Sequence, residues 1–180
     1  GESVSDPIVL PREGYGYVEM MRDLERLRKR YPFLEVGTIG ASVEGRPLPA
    51  VRLGKGEREV HYNGGVHANE WITSLLLMRF VEEYARAVEE KRRMVSFFPW
   101  ELFQETSLWV VPMVNPDGVE LVQRGIPPDH PRFSQVVAIN GGCRDFRHWK
   151  ANIRGVDLND QFPARWEEEV ARRGVGAPSP

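Results

Sequence analysis

A single cysteine, Cys143, rules out any intrachain disulfide in this 180-residue chain. That count fits a reducing compartment, although a secreted bacterial protein can also lack disulfides. A nucleophilic role for Cys143 would need an activating base beside it. No apolar run is long enough to span a membrane. No basic run points to nucleic acid, and no long block of one sign points to an interaction tail; the formal net charge is -2. Lysine is scarce, appearing only at Lys29, Lys55, Lys91 and Lys150, so most cations are arginine. No signal peptide opens the chain. It begins on Gly1 rather than Met, which fits a trimmed start and leaves bacterial cytoplasm and cell wall or exterior both open. Internal repeats and low-complexity tracts are absent.

What is present is ordinary globular material, 41% hydrophobic and 28% charged, enough for one domain or most of one. Residues 1–14 carry prolines without a period and read as an arm or linker, with the domain proper over 15–180. From Tyr15 to Tyr31, Val18, Met21, Leu24 and Leu27 recur at helical spacing, and Pro32 stops the helix. Two runs rich in Val, Ile and Leu flank Glu44-Gly45-Arg46-Pro47 and predict a β-hairpin. Glu59 to Asn63 reads as a short buried strand running into Gly64-Gly65, where the backbone can turn sharply. Trp71 to Glu89 predicts an amphipathic helix with Ile72, Leu75, Leu76, Phe80 and Val81 facing the core. The apolar run Leu108 to Val114 predicts a central strand covered on both faces. It closes at Asn115-Pro116-Asp117-Gly118, read as a turn before a short helix over Val119 to Gln123. Residues 125–135 read as a loop, Val136 to Asn140 as ambiguous, Arg154 to Phe162 as a strand ending in a polar loop, and Trp166 to Arg173 as a helix start. Strands alternating with helices imply an α/β sandwich, three layers around a mixed, largely parallel sheet.

The chemistry concentrates in HYNGGVHANEWI, residues 61–72. There His67 and Glu70 stand at i, i+3, a spacing that puts both side chains on one face of a helical turn. An imidazole and a carboxylate so placed can reach one metal ion, and zinc accepts both donor types. The plain alternative is that His67 packs or caps the helix while Glu70 is solvated. The setting favours the metal: a strand ends and a helix begins here, where α/β proteins place ligands. Two more polar clusters, NPDG at 115–118 and DLND at 157–160, also follow apolar segments. Each alone could be an Asx turn; together they are what a shared crevice needs.

Three segments, HYNGGVHANEWI, VVPMVNPDGVELV and WKANIRGVDLNDQFPA, occur in this order. They resemble the zinc carboxypeptidase (carboxypeptidase A-like) family, and within it the bacterial γ-D-glutamyl-L-diamino acid endopeptidases that cut peptidoglycan stem peptides. The likeness spans about residues 15–170. It implies that His67 and Glu70 are the first two ligands of one Zn2+. It implies that Lys150, with Arg154 as a substitute, polarises the scissile carbonyl, and that Asn159 helps hold the substrate's terminal group. Lys lacks arginine's planar fork for that task. The family's usual Asn-Arg is here Asn159-Asp160. A carboxylate there repels a substrate carboxylate and attracts an ammonium, as in diaminopimelate.

The resemblance also implies a third ligand, a downstream His, and a catalytic Glu further on. No histidine follows His148. His61 precedes His67 by six residues, ~20 Å in extended chain. His130 lies in a proline-flanked loop, and His148 beside Trp149 packs or is exposed. The expectation is a catalytic domain truncated at the C-terminus, with the third His and the Glu beyond Pro180 and the fragment inactive alone. Two other readings stay open: a carboxypeptidase for basic C-terminal residues, and a non-catalytic peptide-binding module.

Overall fold

The computed structural model describes residues 6–94 and 97–156. Its elements are α1 (Tyr17–Arg30), β1 (Glu35–Ala41), β2 (Pro47–Leu53), β3 (Arg58–Asn63), α2 (Ile72–Glu90), α3 (Pro99–Glu105), β4 (Thr106–Val111), α4 (Pro116–Arg124) and α5 (Phe133–Ile139). The architecture is α/β, a mixed sheet in the order β1-β2-β4-β3 with helices packed on it. β1 and β2 form the expected hairpin, closed at Gly45 with φ +82°. β2 runs antiparallel to β4, and β3 runs parallel to it, so one of the three described ladders is parallel.

Side-chain alternation divides the sheet into two faces. Val51 and Leu53 of β2 and Leu108 and Val110 of β4 join the main core beneath α1 and α2. Met20, Leu24 and Leu27 reach it from α1, and Leu75, Met78, Val81 and Tyr84 from α2. On the opposite face Ala50, Trp109, Val111 and Val114 form a smaller cluster. β4 is buried along its whole length, as its unbroken apolar run requires.

The N-terminal residues 6–14 form neither helix nor strand, yet they lie against α2. The buried carboxylate of Glu82 accepts the backbone N–H of Ile8 at 2.6 Å and of Val9 at 3.2 Å. Arg79 donates to the Val9 carbonyl at 2.8 Å. At the head of α1 the Tyr15 hydroxyl donates to Asp23 at 2.8 Å, and burial pushes that carboxyl above its usual range.

Several sequence expectations change. β3 is half exposed rather than buried, because among the described strands it lies at one edge of the sheet. Ile72 and Leu76 are exposed, at 50% and 60%, not in the core. They line the α2 flank above β3, with Tyr62 also exposed at 47%. Pro116 to Gly118 is the first turn of α4 rather than a separate turn, since Pro at N1 costs no hydrogen bond. The ambiguous stretch near Val136 is helical, and a further helix, α3, lies in a stretch given no element from the sequence. Arg154 and Gly155 sit in a turn, and the rest of that expected strand, like the helix start at Trp166, falls outside the described residues.

The burial contrast on α2 gives a direct test. Leu75→Ala is expected to cost about 2–5 kcal/mol in urea unfolding, through a buried cavity. Leu76→Ala, one residue on, should stay within about 0.5 kcal/mol of the parent. Equal losses at the two positions would contradict this packing.

Candidate metal centre

The site forms where two parallel strands end together. Asn63 at the end of β3 pairs with Val111 at the end of β4. Past them the chains stay joined: Gly64 N–H donates to Val111 O at 3.0 Å, Val114 N–H to Gly64 O at 2.9 Å, and Asn115 N–H to Gly65 O at 2.9 Å. A side chain at Gly64 would meet the Pro112 carbonyl at 2.8 Å, so this close approach requires glycine. Gly65 adds a left-handed φ of +62°. The chain then turns into a 3-10 turn, Ala68–Glu70, closed by Glu70 N–H on His67 O at 3.0 Å.

That turn brings His67 Nδ1 within 3.4 Å of Glu70 Oε2. Two donors held ~2.1 Å from one tetrahedral zinc lie about 3.4 Å apart, so this pair fits a shared ion. Glu70 is exposed and His67 partly so, which leaves both reachable. Among the described residues no group of three His, Cys, Asp or Glu side chains could hold a metal. The other histidines are engaged elsewhere or turned outward. His61 stacks on Trp109 at 6.4 Å, His130 faces Glu44 at 3.5 Å, and His148 is exposed.

Asn115 ties the surrounding segments together. It is 2% exposed. Its side-chain oxygen accepts from Gly118 N–H at 3.1 Å, capping α4. Its amide donates to Val66 O at 3.3 Å and to Ala151 O at 2.9 Å. The 3-10 turn is also joined directly to the segment that follows Trp149, by Ala68 N–H on Lys150 O at 3.2 Å. The described parts of the three motif segments therefore meet through backbone and one amide. Asp117, also buried, serves another purpose: it takes Arg46 at 2.7 Å, the Ser42 hydroxyl at 2.8 Å and Glu44 N–H at 3.0 Å, fastening the hairpin turn to α4.

Lys150 and Arg154 are both exposed, on a segment whose Phe146, Trp149 and Ile153 are buried. Neither makes an ion pair among the described residues. Asn159 and Asp160 lie outside the described residues. Sequence reasoning did not find the bridging role of Asn115 or the Asp117–Arg46 pair. The NPDG motif flagged the place, but the partners of both residues are remote in the chain.

The zinc carboxypeptidase family profile matches residues 20–177. The chain belongs to the zinc carboxypeptidase family. It is 43% identical to γ-D-glutamyl-L-diamino acid endopeptidase 1 of Lysinibacillus sphaericus, over 92% of this chain and 42% of that protein. It is 38% identical to the Bacillus subtilis protein YqgT, over 98% of this chain and 47% of that protein. The chain thus spans under half the length of these two relatives. Among solved structures, thrombin-activatable fibrinolysis inhibitor superposes with a TM-score of 0.61 at 22% identity, over 82% of this chain and 32% of that one. A metallo-carboxypeptidase from Burkholderia cenocepacia gives 0.56 at 20% identity, over 84% and 34%. These structures support the zinc carboxypeptidase fold. No described helix is long and apolar enough to cross a membrane.

Asn115→Ala removes a helix cap and leaves two inward carbonyls without their donor. It is expected to cost roughly 2–4 kcal/mol in thermal or urea unfolding. Asn115→Asp keeps the cap acceptor but sets a negative charge against both carbonyl oxygens. It should be at least as destabilising at pH 7 and partly recover on acidification, when a protonated carboxyl can donate. A wild-type unfolding midpoint for either variant would refute the bridging role.

Proposed function

We propose that this chain carries the first half of a zinc-dependent metallopeptidase site acting on peptidoglycan stem peptides, at a γ-D-glutamyl-diaminopimelate-type bond. The observation that carries the reading is the His67–Glu70 donor pair at 3.4 Å, on a chain 43% identical to a γ-D-glutamyl-L-diamino acid endopeptidase. His67 and Glu70 would hold the ion. Bound zinc supplies a Lewis acid and a water of lowered pKa. The third histidine and the general base would be supplied by residues outside these 180, in keeping with the length of the relatives.

In this scheme Lys150 or Arg154 stabilises the charge developing on the scissile carbonyl oxygen. Both sit on a segment fixed to the metal turn by the Ala68–Lys150 and Asn115–Ala151 hydrogen bonds, so their backbones are placed relative to His67 and Glu70 before substrate arrives. Asn159 would hold the terminal group of the peptide. Asp160 would read a substrate ammonium, as carried by diaminopimelate, and disfavour a simple C-terminal carboxylate.

Two measurements test this. Zinc titration of the 180-residue chain should show weak binding that His67→Ala and Glu70→Gln abolish, with no hydrolysis of stem peptides. Tight stoichiometric zinc together with hydrolysis by these residues alone would overturn the division of the site. In the longer protein, stem peptides should be cleaved far faster than C-terminal dipeptides, and Asp160→Ala should shrink that preference by about tenfold or more. Preferential release of C-terminal Lys or Arg would instead favour a basic-residue carboxypeptidase.

A further inference from the structure

Hydrogen bonds tie both ends of the metal turn to the rest of the fold, two of them made by side chains. Val66 O takes the Asn115 amide and Ala68 N–H reaches Lys150 O, which secure the His67 end of the turn. At the Glu70 end the contact is Thr73, in the first turn of α2. Its hydroxyl accepts from Gly65 N–H at 2.8 Å and donates to the Glu70 carbonyl at 2.8 Å. The two bonds demand one proton arrangement, because an N–H can only donate and a carbonyl can only accept. One oxygen therefore spans from the glycine that ends the strand, at φ +62°, to the backbone of the exposed carboxylate residue.

We propose that Thr73 is a positioning residue for the metal site, locking the backbone of Glu70 to the strand end at Gly65 so that its carboxylate stays beside His67. The proposal rests on the zinc reading above. It follows from geometry. The Glu70 side chain is exposed, so packing does little to fix it, and its direction is set by the backbone of a three-residue turn. Glu70 N–H closes that turn on His67 O at 3.0 Å. The Thr73 hydroxyl holds the Glu70 carbonyl and the Gly65 amide on one oxygen, which fixes the end of the turn against the segment that follows β3. Outer partners of this kind typically contribute tenfold or more to metal affinity by holding ligands in place.

The test compares the 180-residue chain with Thr73→Val and Thr73→Ser, titrating Zn2+ while following the His67 and Glu70 amide NMR signals, a readout suited to weak binding. Thr73→Val should raise the zinc Kd by about tenfold and speed hydrogen exchange at the Gly65 amide. Thr73→Ser keeps the hydroxyl and should stay within about twofold of wild type in both. Leu75→Ala serves as the control, lowering the unfolding midpoint without changing the zinc Kd. If Thr73→Val does not fold, Thr73→Ala against Thr73→Ser decides on the same criteria. Wild-type zinc affinity in the Val or Ala variant, or a Ser variant as weak as Val, overturns the role of Thr73 and leaves the zinc reading standing. No saturable response at His67 or Glu70 in the wild type defeats the zinc reading itself, and the positioning role with it.

Discussion

The amide of Asn115 is where this structure holds together, because it caps its own helix and bonds two segments that the chain brings in from far apart. Its oxygen caps α4, and its nitrogen holds Val66 and Ala151, which are 49 and 36 residues away in sequence. An Asn is suited to this, with one acceptor and two donors on a planar group that carries no charge. A carboxylate could cap the helix but would repel both carbonyls. Buried at 2% exposure, the amide exchanges little with water, so losing it would strand polar atoms inside the fold.

Around that amide, sheet topology does the gathering. β3 and β4 run parallel and in register to their last residues, so both release their loops on the same side. This is the edge at which α/β folds collect ligands. The loop after β3 carries His67 and Glu70, and the loop after β4 carries the NPDG cap. Gly64 and Gly65 let the two loops touch, since any side chain at Gly64 would collide with the neighbouring backbone. The ion pair of buried Asp117 with the partly exposed Arg46 then fixes the hairpin turn against α4, and a break in it would leave the Asp117 charge without its cation inside the fold.

Much of the fold could be read from residue order. The α1 stripe, the hairpin around Gly45, the central strand β4 and the long helix α2 all announce themselves by period or by unbroken apolar character. The misreadings share one cause. Ile72 and Leu76 fit the helical stripe of α2 but face its exposed flank, because which apolar residues are covered depends on neighbours rather than on spacing. β3 was expected to be buried for the same reason. Its apolar residues are Val60 and Tyr62, and whether a strand is inner or outer is a property of the sheet.

The sequence by itself determined the pair of potential metal ligands, since His67 and Glu70 are three residues apart and local backbone alone brings such a pair to one side of a turn. It also determined the family, through motifs that stand in the chain as written. Only the tertiary structure decided how those motifs meet. The bonds from Asn115 to Val66 and Ala151, from Ala68 to Lys150 and from Asp117 to Arg46 link residues dozens of positions apart. No local propensity encodes such contacts; they exist once the parallel ladder of β3 and β4 has brought the strand ends side by side.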